Sequence, residues 1–295
     1  MRIYAVLCTA VLIAVAGSTN AWAGAFADSV ISYDAGTTAA GGYNNPSNAT
    51  GSPTRLEFGA AVTPFNPAFL NTDLVSVGNG GHLTLRLSNY ALTSTAGLQL
   101  GVFAHAGITD DDGYVNFPTD ARSASPLVAD ISNPSNGSMF SVHGAKIEVS
   151  ADNVLWKPLG FHVIDIPTNA YSDVTQPFDS PAGNSPSDFG QPFTGTLADL
   201  ENKHLGGTQG MQSIYGSSGG GSWFDLSGTG LSQVGYVRFS LDTADHFELD
   251  AVSIGNGFLG APTPEPATGV LAAMGLAGLL FVARRRWGQR SAAIR

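Results

Sequence analysis

The sequence predicts an all-β fold: a β-sandwich or jelly-roll ectodomain with long loops, set between two apolar ends. Three observations predict it. Short runs of alternating apolar and polar residues recur along the middle of the chain, the pattern of strands with one buried and one wet face. Glycine (37) and proline (16) punctuate these runs. Helix-period patterns are scarce, and only 12% of residues are charged. Many short strands with Gly/Asn/Pro turns favour packed sheets, and a span of about 230 residues suits one large domain of that kind.

The N-terminus carries Arg2, an apolar run from Ala5 to Ala16, and then small residues. Ala21-Trp22-Ala23 and Ala25-Phe26-Ala27 are two A-x-A motifs in tandem. This is the layout of a secretory signal peptide. Residues 1–27 are therefore expected to form a signal helix, routed by the Sec translocon and cut by signal peptidase before Gly24 or before Asp28. The apolar run is shorter than the roughly 20 residues of a spanning helix, which disfavours an uncleaved anchor. Cys8, the only cysteine, lies in this segment, so the mature chain has no thiol, disulfide or Cys-ligated metal.

Residues 28–258 are then the ectodomain and 259–266 a linker containing Pro264-Glu265-Pro266. Residues 267–283 read as a transmembrane helix and 284–295 as a basic cytoplasmic tail. The apolar run from Ala267 to Ala283 reaches the lower length limit for a span. Arg284, Arg285 and Arg286 form the membrane stop, and the positive-inside rule puts the C-terminus in the cytoplasm and the ectodomain outside. Two prolines deny residues 264–266 the hydrogen bonds of helix or sheet, so that motif is expected to stay extended at the membrane face.

Between the ends the chain is strongly acidic. From Asp28 to Thr263 there are 22 Asp plus Glu and seven Lys plus Arg, a net charge of −15, against −10 for the whole chain. This argues against a nucleic-acid partner, which requires a basic footprint. It suits solubility outside the cell, and association with a polysaccharide matrix through divalent cations.

Strand candidates follow in order. His82–Ser88, Ala145–Ser150 and Tyr236–Leu241 alternate cleanly; Leu98–Ala104, Phe161–Ile166 and Phe247–Ile254 are further candidates. Asn79-Gly80-Gly81 and Asp152-Asn153 supply turns. Thr37–Asn48 and Asn184–Gly195 read as long polar loops, and Gly206–Ser222, rich in Gly, Ser and Gln, reads as disorder. Leu197–Asn202 suits one or two helical turns.

Candidate chemistry is sparse. Asp110-Asp111-Asp112-Gly113 offers hard oxygens beside a glycine turn, which suits Ca²⁺, but its alignment to an EF-hand loop puts Ile108 and Thr119 at ligand positions. Asp250, between Leu249 and Ala251, must be paired, hydrogen-bonded or metal-bound if it faces inward; hydrogen bonding to a loop is the first expectation and metal the second. Trp156, Trp223 and Tyr171 are candidates for stacking on sugars, although a Trp after a strand more often packs in a core. Gly216-Ser217-Ser218-Gly219-Gly220 fits G-x-S-x-G but lacks the strand before and helix after that a nucleophile elbow needs. The six histidines show no zinc spacing.

The order Pro264-Glu265-Pro266, apolar run, arginine cluster resembles the bacterial PEP-CTERM sorting signal. The resemblance implies recognition by an exosortase, a membrane-embedded cysteine transpeptidase-like enzyme, removal of the helix, and transfer to the cell surface or extracellular matrix. A second resemblance covers roughly residues 73–255. Val75-Ser76-Val77-Gly78-Asn79-Gly80-Gly81, Ile147–Trp156 and the stretches 224–226, 235–239 and 247–252 are similar to strands of a group of bacterial cell-surface β-sandwich proteins. Asn153 stands where those proteins usually have a turn glycine, and Val102–Gly107 replaces an acidic-aromatic stretch. The joint expectation is an exported, non-enzymatic structural or adhesive component of the envelope or exopolysaccharide matrix without an obligatory cofactor. A Ca²⁺-dependent carbohydrate-binding module is the alternative, and a secreted hydrolase the second.

Overall fold

The computed structural model describes residues 26–93, 97–107, 144–174, 183–201 and 212–255. Eleven strands dominate them: β1 (Ala27–Asp34), β2 (Leu56–Glu57), β3 (Ala60–Ala61), β4 (Val75–Gly78), β5 (His82–Leu92), β6 (Leu100–Ala104), β7 (Gly144–Ser150), β8 (Trp156–Val163), β9 (Ser222–Phe224), β10 (Gln233–Ser240) and β11 (His246–Ile254). Among the described residues helix is confined to α1 (Leu197–Glu201), 3₁₀ turns at Pro46–Ala49 and Ser227–Thr229, and one turn at 212–215. The described residues are mostly β-sheet with little helix, consistent with the all-β fold that the period predicts. Among the described residues no helix is long and apolar enough to cross a membrane. The expected span 267–283, the arginine stop and residues 1–25 of the signal segment lie outside them.

A five-stranded sheet has the order β1-β5-β10-β7-β8 and a four-stranded sheet the order β4-β11-β6-β9, with β2 and β3 a separate small hairpin. Every strand pairing is antiparallel. Within the two large sheets only β7 and β8 are both consecutive and adjacent. The turn at Asn79–Gly81 therefore makes no hairpin; it carries the chain from β4 in one sheet to β5 in the other. Here backbones touch: a Cβ on Gly78 would lie 2.2 Å from the Ala39 nitrogen, so only glycine fits under the segment leaving β1.

The two sheets feed one apolar cluster. Leu83 and Leu85 of β5, Ile147 and Val149 of β7, and Val237 and Phe239 of β10 come from the first; Val77, Val102, Phe247, Leu249 and Val252 come from the second. The outer face of the first sheet is wet and carries cross-strand ion pairs. Arg86 meets Asp28 at 3.0 Å and Arg238 meets Glu148 at 2.7 Å, the latter pair directly opposite in register.

The second sheet departs from the one-wet-face expectation. All residues of β4 and β6 are buried, and all of β11 but its first. Its outer face is covered by the loops before β4 and after β8, which form a second apolar cluster with Phe103 and Ala251: Val62, Phe65, Leu74, Phe189, Phe193, Leu200, Tyr215 and Trp223. The loop 184–195 and the part of Gly206–Ser222 from 212 onward are thus packed structure, which corrects the reading as polar loop and disorder; residues 202–211 lie outside the description. Their glycines are needed for this packing, since a Cβ on Gly219 would overlap Phe189 and one on Gly221 would crowd Phe103. α1 forms where expected, capped by Thr196: its hydroxyl accepts from the Asp199 amide, and the Asp199 carboxylate accepts from the Thr196 amide.

β8 begins earlier than the candidate run at 161–166. Pro158 and the positive-φ Gly160 mask its period, and both are tolerated because β8 is an edge strand with a register shift opposite them. At the other end, β1 starts at Ala27, inside the segment assigned to residues 1–27.

Candidate functional site

Asp250 sits where β11 shifts register against β6, between Leu249 and Ala251. An extra residue in a strand re-aims a side chain. Here it places a carboxylate on the outer face of the second sheet, only 2% exposed. Thr54 meets it with its amide, at 3.2 and 3.0 Å from the two oxygens, and with its hydroxyl, at 2.9 Å. The first expectation for this residue, hydrogen bonding to a loop, describes what is seen. Burial pushes the Asp250 carboxyl up to about 7, the Thr54 hydrogen bonds pull the other way, and the charge of Asp73 adds to the rise.

Glu57, at the end of β2, is a second buried acid at 2% exposure. Its Oε2 accepts from the Phe69 amide at 3.4 Å, and its Oε1 has no hydrogen-bond partner among the described residues. Burial pushes it up to about 7, with Asp73 repelling the charged form. Glu248, two residues before Asp250, is held by the Ser76 hydroxyl and the His246 ring, each at 3.3 Å. Among the described residues no three Asp, Glu, His or Cys side chains converge as metal ligands. Both Asp250 oxygens accept from Thr54, so among the described residues its partner is a loop rather than other acidic side chains. Asp110, Asp111 and Asp112 lie outside the described residues.

The three aromatic candidates occupy separate elements. Trp223 on β9 is a core residue: it is 9% exposed, its indole N–H donates to the Gly220 carbonyl at 2.9 Å, and its ring meets Phe103 edge-on. This is the core packing that a Trp after a strand more often shows. Trp156 at the start of β8 is half-buried, with the Arg238 guanidinium 4.2 Å from its ring centre. Tyr171 is half-buried beside Arg55 and bridges to Pro186. Ser218, the serine of the G-x-S-x-G match, is 3% exposed; its hydroxyl donates to the Gln191 carbonyl at 2.8 Å and accepts from the Gly220 amide at 3.1 Å. It follows a helical turn and precedes β9, the reverse of an elbow.

Two features had no signal in the sequence reading. One is a cleft of about 650 Å³ lined by Phe26, Ser52, Arg55, Pro186, Asp188 and Phe189. In its wall Arg55 donates to the carbonyls of Ala170 and Ser187 and lies 4.1 Å over the Phe189 ring. The other is Phe58, at the tip of the β2–β3 hairpin. It is 79% exposed, has φ +49°, and its ring lies 5.5 Å from that of Phe69. A bulky residue in the left-handed region is strained, and such strain clusters at ligand-contacting sites.

The described domain is thus an acidic all-β unit followed by a tail of sorting character. That tail matches the family model of the PEP-CTERM protein-sorting motif over residues 262–286, which includes Pro264, Glu265, Pro266 and the three arginines. The chain carries this motif, which marks it for export, processing by exosortase and sorting to the cell surface. No curated protein matches the chain.

Proposed function

We propose that this protein is a non-enzymatic structural or adhesive component of the cell envelope or exopolysaccharide matrix. Its two sheets would form a β-sandwich, exported through the Sec route, tethered by residues 267–283 and released to the surface once exosortase acts. The observation that carries this reading is the sorting motif at 262–286. Two others support it. The net charge of −15 between Asp28 and Thr263 suits a hydrated, cation-rich matrix. Phe58 holds an exposed aromatic ring on a short hairpin beside Phe69, a surface on which the C–H face of a sugar ring can stack.

The test is fractionation of cells producing the full chain, with and without exosortase. The proposal expects the protein in the polysaccharide matrix of exosortase-positive cells, released when the polysaccharide is digested, and held in the membrane of exosortase-negative cells. Free protein in the medium, with no matrix retention, contradicts it.

A further inference from the structure

Two A-x-A motifs stand in tandem at the N-terminus, and cleavage after the first or the second leaves a chain starting at Gly24 or at Asp28. The fold distinguishes them. Phe26 is already built into both sheets. Its carbonyl accepts from the Ser88 amide at 3.1 Å and the Ser88 hydroxyl at 2.9 Å, beside β5, and it forms an antiparallel bridge to Ser253 on β11. Its side chain packs against the second apolar cluster and lines the cleft shared with Arg55 and Phe189. Ala27 is 1% exposed, pairs with Leu87, and its carbonyl accepts from the Gly51 amide at 2.8 Å.

A cut at Ala27–Asp28 would delete all of these contacts and strip the amides of Ser88 and Gly51 of their acceptors. It would also place the scissile bond inside β1, where Ala27 and Ser29 are paired with Leu87 and Arg86. A protease needs its substrate extended and unpaired, so that bond closes to it once β1 docks on β5. The motif Ala21-Trp22-Ala23 ends three residues before Phe26.

We infer that signal peptidase cuts this chain at Ala23–Gly24 and that Phe26 and Ala27 belong to the mature domain. In that step water adds across the Ala23–Gly24 amide, leaving a carboxylate on Ala23 and a new α-ammonium on Gly24. The inference rests on the reading of residues 1–27 as a secretory signal.

The experiment is N-terminal sequencing and mass analysis of the full chain exported by a Sec-competent, exosortase-positive bacterial host, alongside Ala25→Leu and Ala23→Asp variants. The expected N-terminus is Gly24 for the wild type and for Ala25→Leu, which spoils only the second motif. Ala23→Asp should lose processing, or yield a chain starting at Asp28 that is degraded faster. A wild-type chain starting at Asp28, or precursor accumulation in Ala25→Leu, overturns the assignment while leaving export intact. A wild-type chain that keeps Met1 overturns the signal reading as well.

Discussion

Thr54 and Asp250 are joined by three hydrogen bonds across 196 residues of chain, from the Thr54 amide to both carboxylate oxygens and from its hydroxyl to one. This contact fastens the loop before β2 to the outer face of β11. Replacing Thr54 by the isosteric valine removes the hydroxyl donor and leaves a buried acceptor short of a partner, at a cost of about 1–3 kcal/mol. Thermal or urea unfolding of Thr54→Val should show that loss; an unchanged midpoint would mean the loop is held elsewhere.

The buried acids set the sign of the pH dependence. Asp250 and Glu57 are both raised in the folded state to about 7, by burial first, from ordinary values of 3.8 and 4.5. The folded protein then binds more protons than the unfolded chain between roughly pH 4 and 7, so stability falls as pH rises through that window. Asp152 and Asp173 act oppositely. Backbone amides of Leu155 and Val154, and of Ser185 and Asn184, hold them low, so their contribution is lost as pH falls below the usual carboxylate range. The melting temperature should peak near about pH 4, decline toward about pH 7 and level off above it. Asp250→Asn should flatten that decline; an undiminished slope would assign it to other groups.

Trp223 should behave as a core residue. A Cβ on Gly101 would lie 2.7 Å from the indole, so Gly101→Ala should destabilise the domain by about 1–3 kcal/mol through overpacking. Trp223→Ala should cost about 3–5 kcal/mol. Binding of the wild type to polysaccharide that is lost in Trp223→Ala at unchanged stability would contradict this placement.

Phe58 should behave in the opposite way. Its exposed ring adds little to the core, and its φ of +49° is a conformation glycine adopts without strain. Phe58→Gly should raise stability by up to about 1 kcal/mol, while weakening retention in the matrix. Unfolding midpoints and matrix sedimentation, measured side by side, separate the two effects.

The parts of the fold legible in the sequence were those governed by local pattern. β5, β7 and β10 alternate because the first sheet keeps one face in water, and Asn153 occupies the left-handed position of the β7–β8 turn at φ +62°. The second sheet was harder to read because loops bury its outer face and erase the alternation. Those loops hid behind Gly, Ser and Pro, although Phe189, Phe193, Tyr215 and Trp223 recur among the glycines that let them pack. β1 was missed because its first residue doubles as the end of a cleavage motif. Asp250 announced itself as an acid in an apolar context. Glu57 did not, since Leu56-Glu57-Phe58-Gly59 resembles a surface turn and its burial comes from residues distant in sequence.

The central claim, that the β domain is delivered outside the cell and separated from its tail at the sorting motif, is tested most directly by the intact mass of the surface-exposed protein. In an exosortase-positive host the mass should match a chain that has lost both its signal segment and the apolar run from Ala267 to Ala283 with the arginines beyond it. A surface protein whose mass still includes Arg284, Arg285 and Arg286 in that host would contradict it.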